Sequence, residues 1–158
     1  MDNTKGITVD PDWIEEQNEI IKQAKLVVQM TRVVIESPYL GNHDMNEAYA
    51  EFAMHDCIVN YHESPYASHL LYTRRFVLND DNESDRNLGI RAGFCWREVA
   101  DKTVFYTDLG MTKGMQEGVE DCIMKGRSYE LRILSIDLWK KFADYCMGCS
   151  YEIERNIK

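Results

Sequence analysis

No run of Lys or Arg forms a basic stripe in these 158 residues, and the formal charge is -9, from 27 acidic and 18 basic side chains. A duplex nucleic-acid binder gains affinity by releasing counterions from a positive footprint, so no extended nucleic-acid surface is expected. No uninterrupted apolar run approaches membrane-spanning length, and no secretory-type segment is seen. The expectation is a cytoplasmic protein, in a bacterium or, if phage-encoded, in its host. The sequence also lacks G-x-G-x-x-G and G-x-x-x-x-G-K-[ST] phosphate loops, a G-x-S-x-G nucleophile elbow, and H-E-x-x-H or H-x-x-x-H pairs. These absences argue against an ordinary dinucleotide fold, a nucleotide triphosphatase, a strained-serine hydrolase and a metal enzyme. The cysteines number five. Cys57, Cys95 and Cys122 sit in apolar stretches and read as small buried hydrophobes, while Cys146-x-x-Cys149 lacks the second pair of a zinc ribbon. Neither a metal nor a cofactor is expected.

What is present fits one domain, long enough to bury a continuous core and too short for two. Residues 1–9 read as a flexible or laid-over arm and 10–158 as a single α/β domain. Asp10 can cap a helix that Pro11 opens, with Trp13, Ile14, Ile20, Ile21, Ala24, Val27 and Val28 at helical spacing. Val33, Val34 and Ile35 form the short apolar run of a buried parallel strand. A helix over 44–60 carries Met45, Ala48, Phe52 and Val59 near one face. Residues 67–72 are a second strand candidate, and the polar stretch 79–86 is a surface loop or helix approach. A third helix is expected to turn Leu88, Ala92, Cys95, Trp96 and Val99 toward one side, its Gly89 and Gly93 permitting close approach to another backbone. Thr103–Thr107 is a clear strand, followed by a glycine-containing loop and a helix with Met115, Val119, Cys122 and Ile123. Leu131, Ile133 and Leu134 suggest a fourth strand, before a last helix with Leu138, Trp139, Phe142 and Tyr145. The alternation predicts a doubly wound, mostly parallel sheet of four or five strands with helices on both faces. Ligands of such sheets collect at the carboxyl ends of strands, which directs attention to the loops after residues 36, 72 and 107.

Each of those loops admits a chemical and a plain reading. Ser37-Pro38-Tyr39 offers hydroxyls at a stiffened strand exit, or is a rigid turn. In Asp108-Leu109-Gly110 and Thr112-Lys113-Gly114, Asp108 could accept ligand hydroxyls while Thr112, Gly114 and the amides near Met115 receive an anion. Equally, these residue types are common in turns and helix starts. His69 is either an oriented imidazole beside Ser68 or a satisfied structural histidine. Tyr39 and Tyr72 are candidates to stack on a base, and Arg86 could meet a negative ligand. Ser37 or Ser68 with His69 and Asp108 would make a triad, but without the strained elbow.

The segments V-V-I-E-S-P-Y (33–39), S-H-L-L-Y-T (68–73) and V-F-Y-T-D-L-G-M-T-K-G-M-Q (104–116) resemble a phage and bacterial group of small uncharacterised domains related to nucleoside 2-deoxyribosyltransferases, over approximately residues 32–135. The resemblance implies a doubly wound domain that handles a nucleoside or nucleotide and assembles as a homo-oligomer. It also implies N-glycosidic hydrolysis or (deoxy)ribosyl transfer through a glutamate nucleophile. That nucleophile is expected four residues beyond the glycine matching Gly114, a position held here by Gly118. Glu117, its neighbour, becomes the candidate nucleophile and Asp108 the acid or anchor. Ser37, Pro38, Tyr39, His69, Tyr72, Arg86, Gly110, Thr112, Lys113, Gly114 and Met115 would form the ligand site. The alternatives are a noncatalytic protein that binds or sequesters a nucleotide or nucleoside derivative, and an oligomeric interaction protein.

Overall fold

The computed structural model describes residues 10–24 and 30–156, and the chain divides into two compact units, Met1–Met30 and Thr31–Lys158. The arm expected at 1–9 lies outside the described residues, as do Val27 and Val28. In the first unit, helix α1 spans Pro11–Ala24. Asp10 caps it: its carboxylate accepts the Asp12 amide at 2.9 Å and its carbonyl the Ile14 amide at 3.1 Å.

The second unit runs β1 (Thr31–Glu36), α2 (His43–Tyr61), β2 (Glu63–Tyr66), α3 (Ser68–Leu71), α4 (Glu83–Arg97), β3 (Lys102–Tyr106), α5 (Lys113–Met124), β4 (Tyr129–Arg132) and α6 (Ile136–Gly148). The four strands are parallel, in the order β2-β1-β3-β4. This is a doubly wound α/β fold, of a kind compatible with binding a nucleotide or other small molecule. Side chains alternate across the pleat. Val33, Ile35, Val104 and Tyr106 therefore share one face and pack with Tyr49, Ala53 and Cys57 of α2 and with Leu138 and Phe142 of α6. Phe105 points to the other face, against Met115 and Cys122 of α5. Short polar side chains start the helices: Asn42, Asn82, Thr112 and Ser135 each accept an amide from the first turn of α2, α4, α5 and α6. No helix among the described residues is long and apolar enough to cross a membrane.

Three elements differ from the sequence reading. The second strand is Glu63–Tyr66, and Ser68–Leu71 is a helical turn. The strand lies at the sheet edge, where Pro65 can replace a residue without breaking the interior ladder. The fourth strand ends at Arg132, so Ile133 and Leu134 follow it; Leu134 is nevertheless buried. On α4, Leu88 and Trp96 are exposed, as is Cys95, and the buried positions are Gly93 and Arg97; Val99, also exposed, lies beyond the helix end. The close approach that Gly93 allows is to a side chain: a Cβ there would lie 2.9 Å from Ser68 Oγ.

Candidate functional site

The strand order makes β1 and β3 neighbours whose onward connections run to opposite edges of the sheet. At such a switch point the crossovers diverge and leave a crevice beyond the strand ends. A cleft of about 280 Å³ occupies that place. Its walls are the end of β1, the α3 turn, the inner face of α4 and the first turn of α5.

From the end of β1 come Glu36, Ser37 and Tyr39. Ser37 Oγ lies 3.0 Å from His69 Nε2 on α3. Burial holds the His69 imidazole below its ordinary value, against the opposing pull of Glu36 and Glu47, so the ring is neutral at pH 7. A neutral ring has one donor and one acceptor nitrogen, and the Ser37 hydroxyl can turn to match either. Tyr39 stands 5.7 Å from His69 and 4.8 Å from His43, ring to ring. Tyr72 forms another part of the wall, its hydroxyl accepting the Trp96 indole N–H at 3.0 Å.

Thr112, Lys113, Gly114, Met115 and Glu117 line the cleft from α5. Thr112 Oγ1 accepts the Met115 amide at 3.3 Å, and its carbonyl accepts the Gln116 amide at 3.0 Å. The earlier amides of a helix have no intrahelical acceptor and point at whatever lies before the helix. The Glu117 carboxylate is 61% exposed and 3.7 Å from Lys113 Nζ. Arg86 also lines the cleft, 3.8 Å from Asp80.

Pro38, Gly110 and Asp108 are not among the lining residues. Pro38 is buried behind the strand exit. Gly110 takes a positive φ of 91° and faces Asn156. Asp108 is wholly buried, and its carboxylate is occupied by the Tyr49 hydroxyl (2.7 Å), the Leu134 amide (2.8 Å) and Arg155 Nε (2.7 Å). Burial first, and the neighbouring Asp108 charge second, push the Tyr49 hydroxyl far above its ordinary value, so it remains a donor. Asp108 therefore ties β3 to α2, to the start of α6 and to the segment after it. Its carboxylate is enclosed and off the cleft wall, so of the Ser-His-Asp grouping only Ser37 and His69 are in contact at the cleft.

Arg97, which sequence reasoning missed, is the cleft's most enclosed cation. Its side chain is 1% exposed, and its Nη2 donates to Glu36 Oε1 at 2.6 Å. The guanidinium stacks over Phe94 at 4.3 Å. It also fills the space beside Gly118, where a Cβ would lie 2.9 Å from Nη2 and 3.0 Å from Phe105 Cε1. A signal did exist: Gly89, Gly93 and Arg97 recur every four residues, so the two small residues and the arginine share one face of α4.

A family model described as "Domain of unknown function (DUF7768)" matches residues 31–132, well over half of the chain and all four strands of the sheet. No curated protein and no solved structure matches the chain significantly.

Proposed function

The chain belongs to the DUF7768 family, and for it we propose a cleft that takes a nucleoside, a nucleotide or a derivative of one and acts on its N-glycosidic bond, by hydrolysis or by (deoxy)ribosyl transfer. The observation that carries this reading is convergence. Two tyrosine rings, the Ser37 and His69 pair, the open first turn of α5 and the Glu117 carboxylate all border one ligand-sized cleft. Tyr39 and Tyr72 offer faces for a base, while the amides of α5 and the Ser37 hydroxyl suit sugar oxygens. In the covalent version Glu117 attacks the anomeric carbon, the carbon–nitrogen bond breaks, and the base leaves with the electron pair. The base must then gain a proton. With Asp108 enclosed, that proton comes from water or through the Ser37 hydroxyl. Water or a second base resolves the glycosyl ester.

A noncatalytic binding protein is the second reading, favoured by Gly118 at the position where the resemblance puts a nucleophile. An interaction protein without a ligand is disfavoured by the open cleft over Ser37 and Tyr72.

Incubation with nucleosides, nucleotides and NAD-related compounds, with mass spectrometry of bound material and free base, separates the two. We expect base release that Glu117→Gln reduces at least about 100-fold, the scale on which loss of an essential catalytic group is felt. Retention of intact compound by both proteins, with no base released, makes this a binding protein and removes Glu117 as nucleophile.

A further inference from the structure

Three cations line the cleft, and each already faces a carboxylate: Arg97 with Glu36 at 2.6 Å, Arg86 with Asp80 at 3.8 Å, and Lys113 with Glu117 at 3.7 Å. Asp85 is a further lining carboxylate, and it accepts the Asn79 amide at 3.0 Å. His69 adds no positive charge, because burial keeps it neutral. The walls thus hold more negative than positive charge. A phosphate approaching Arg97 would face more side-chain carboxylates than cations, and to reach the guanidinium it would compete with Glu36.

Arg97 is nevertheless not satisfied. Its Nε and Nη1 have no hydrogen-bond partner although both are buried. Asp121 lies 3.8 Å from Nη1, beyond hydrogen-bond reach, and is itself engaged by Lys125 at 2.8 Å and Arg127 at 3.1 Å. Leaving a buried donor unpaired is costly, so a pair of them beside the cleft marks a place where a partner is missing. Gly118 leaves the room that this guanidinium occupies. An uncharged acceptor can fill the open donors without displacing Glu36; an anion cannot do so without facing it.

We propose that Arg97 is a ligand-recognition residue of the cleft, its open guanidinium donors taking an uncharged acceptor, such as a carbonyl oxygen, a ring nitrogen or a hydroxyl, while its partner Glu36 sets the site against phosphate. The choice of probes rests on the nucleoside-or-nucleotide reading above; the assignment of Arg97 rests on its unpaired donors and on the charge of the walls.

The test is calorimetric titration with matched pairs, each natural nucleoside against its own 5′-monophosphate, on the full chain and on Arg97→Met and Glu36→Gln, with thermal unfolding run on each variant. For every base that binds, the nucleoside should bind at least about 10-fold more tightly than its monophosphate, the scale of one charged hydrogen bond. Arg97→Met should weaken nucleoside binding about 10-fold to 100-fold. Glu36→Gln keeps the shape of the pair and removes the negative charge, so it should narrow or reverse the discrimination against phosphate. It carries the test even if Arg97→Met does not fold. Tighter binding of the monophosphates by the native chain, or discrimination unchanged in Glu36→Gln, overturns the assignment while leaving the functional reading in place. Wild-type affinity in a folded Arg97→Met does the same. No binding of either form overturns the functional reading and the assignment together.

Discussion

Replacing Asp108 with Ala is expected to lower the unfolding free energy by about 3–5 kcal/mol, the range for removing one partner of a buried charged pair. The carboxylate is fully enclosed and receives three donors from three separate parts of the fold. Its loss leaves the Arg155 guanidinium, 14% exposed, without its carboxylate partner. It also leaves the Tyr49 hydroxyl, in a fully buried side chain, and the Leu134 amide without this acceptor. Each stranded donor adds its own desolvation cost. Arg155 further donates to the Leu134 carbonyl, so the segment after α6 should loosen with it. Urea unfolding followed by circular dichroism measures the change. A loss under about 1 kcal/mol accompanied by failure to bind ligand would put Asp108 back at the site as an anchor.

Gly118 and Gly114 should respond to alanine with opposite signs. In a helix interior, alanine is favoured over glycine by roughly 0.5–1 kcal/mol. At Gly114 nothing lies within 4 Å of a new Cβ, so Gly114→Ala should be neutral or stabilising by up to that amount. At Gly118 the Cβ would meet Arg97 Nη2 at 2.9 Å and the Phe105 ring at 3.0 Å. Phe105 is fully buried among Met115 and Cys122, so the guanidinium has to yield. Its displacement strains the 2.6 Å pair with Glu36 as well as the packing on Phe94. Overpacking of a filled site costs about 1–3 kcal/mol, which exceeds the helix gain. We therefore expect Gly118→Ala to destabilise by about 1–2 kcal/mol net, as the difference between these two effects. Equal, stabilising shifts at both positions would show that Arg97 moves freely and is not seated by Gly118. The same crowding says why a longer side chain, such as the glutamate that the resemblance leads one to expect at 118, does not fit while Arg97 holds its place.

The central strands were legible because a parallel strand buried on both sides reads as an apolar run, as Val33–Ile35 and Val104–Tyr106 do. The edge strands were not. β2 is Glu-Ser-Pro-Tyr and β4 is Tyr-Glu-Leu-Arg, half-polar stretches whose pairing on one side alone imposes no such pattern. Apolar runs next to them, Leu70-Leu71 and Ile133-Leu134, drew the reading away from their true positions. On α4 the expected apolar face failed because the helix turns Gly89, Gly93 and Arg97 toward the cleft and leaves Leu88 and Trp96 exposed.

At the site, strand-exit logic brought Ser37, Tyr39, Thr112 and Gly114 to one cleft, since the end of a parallel strand is set by the fold; Tyr72 also lines it, but from the end of the α3 turn rather than from a strand. Asp108 stands at such an exit too, yet points inward. Its partners lie 59, 26 and 47 residues away, so no local pattern announces them. Arg97 escaped for the converse reason: an arginine in the last turn of a helix usually faces solvent and complements the helix dipole. Only its four-residue spacing from two glycines sets it apart.

The most direct test of the cleft as the working site is to follow backbone amide resonances while the natural nucleosides and their 5′-monophosphates are added in turn. The account predicts that a bound compound shifts the amides at Ser37, Tyr39, His69, Tyr72, Arg97 and the first turn of α5, and leaves the exposed end of α6 unchanged. Shifts confined to α6 and the segment 151–154, or saturating binding that leaves the β1 exit and the α5 start untouched, would contradict it.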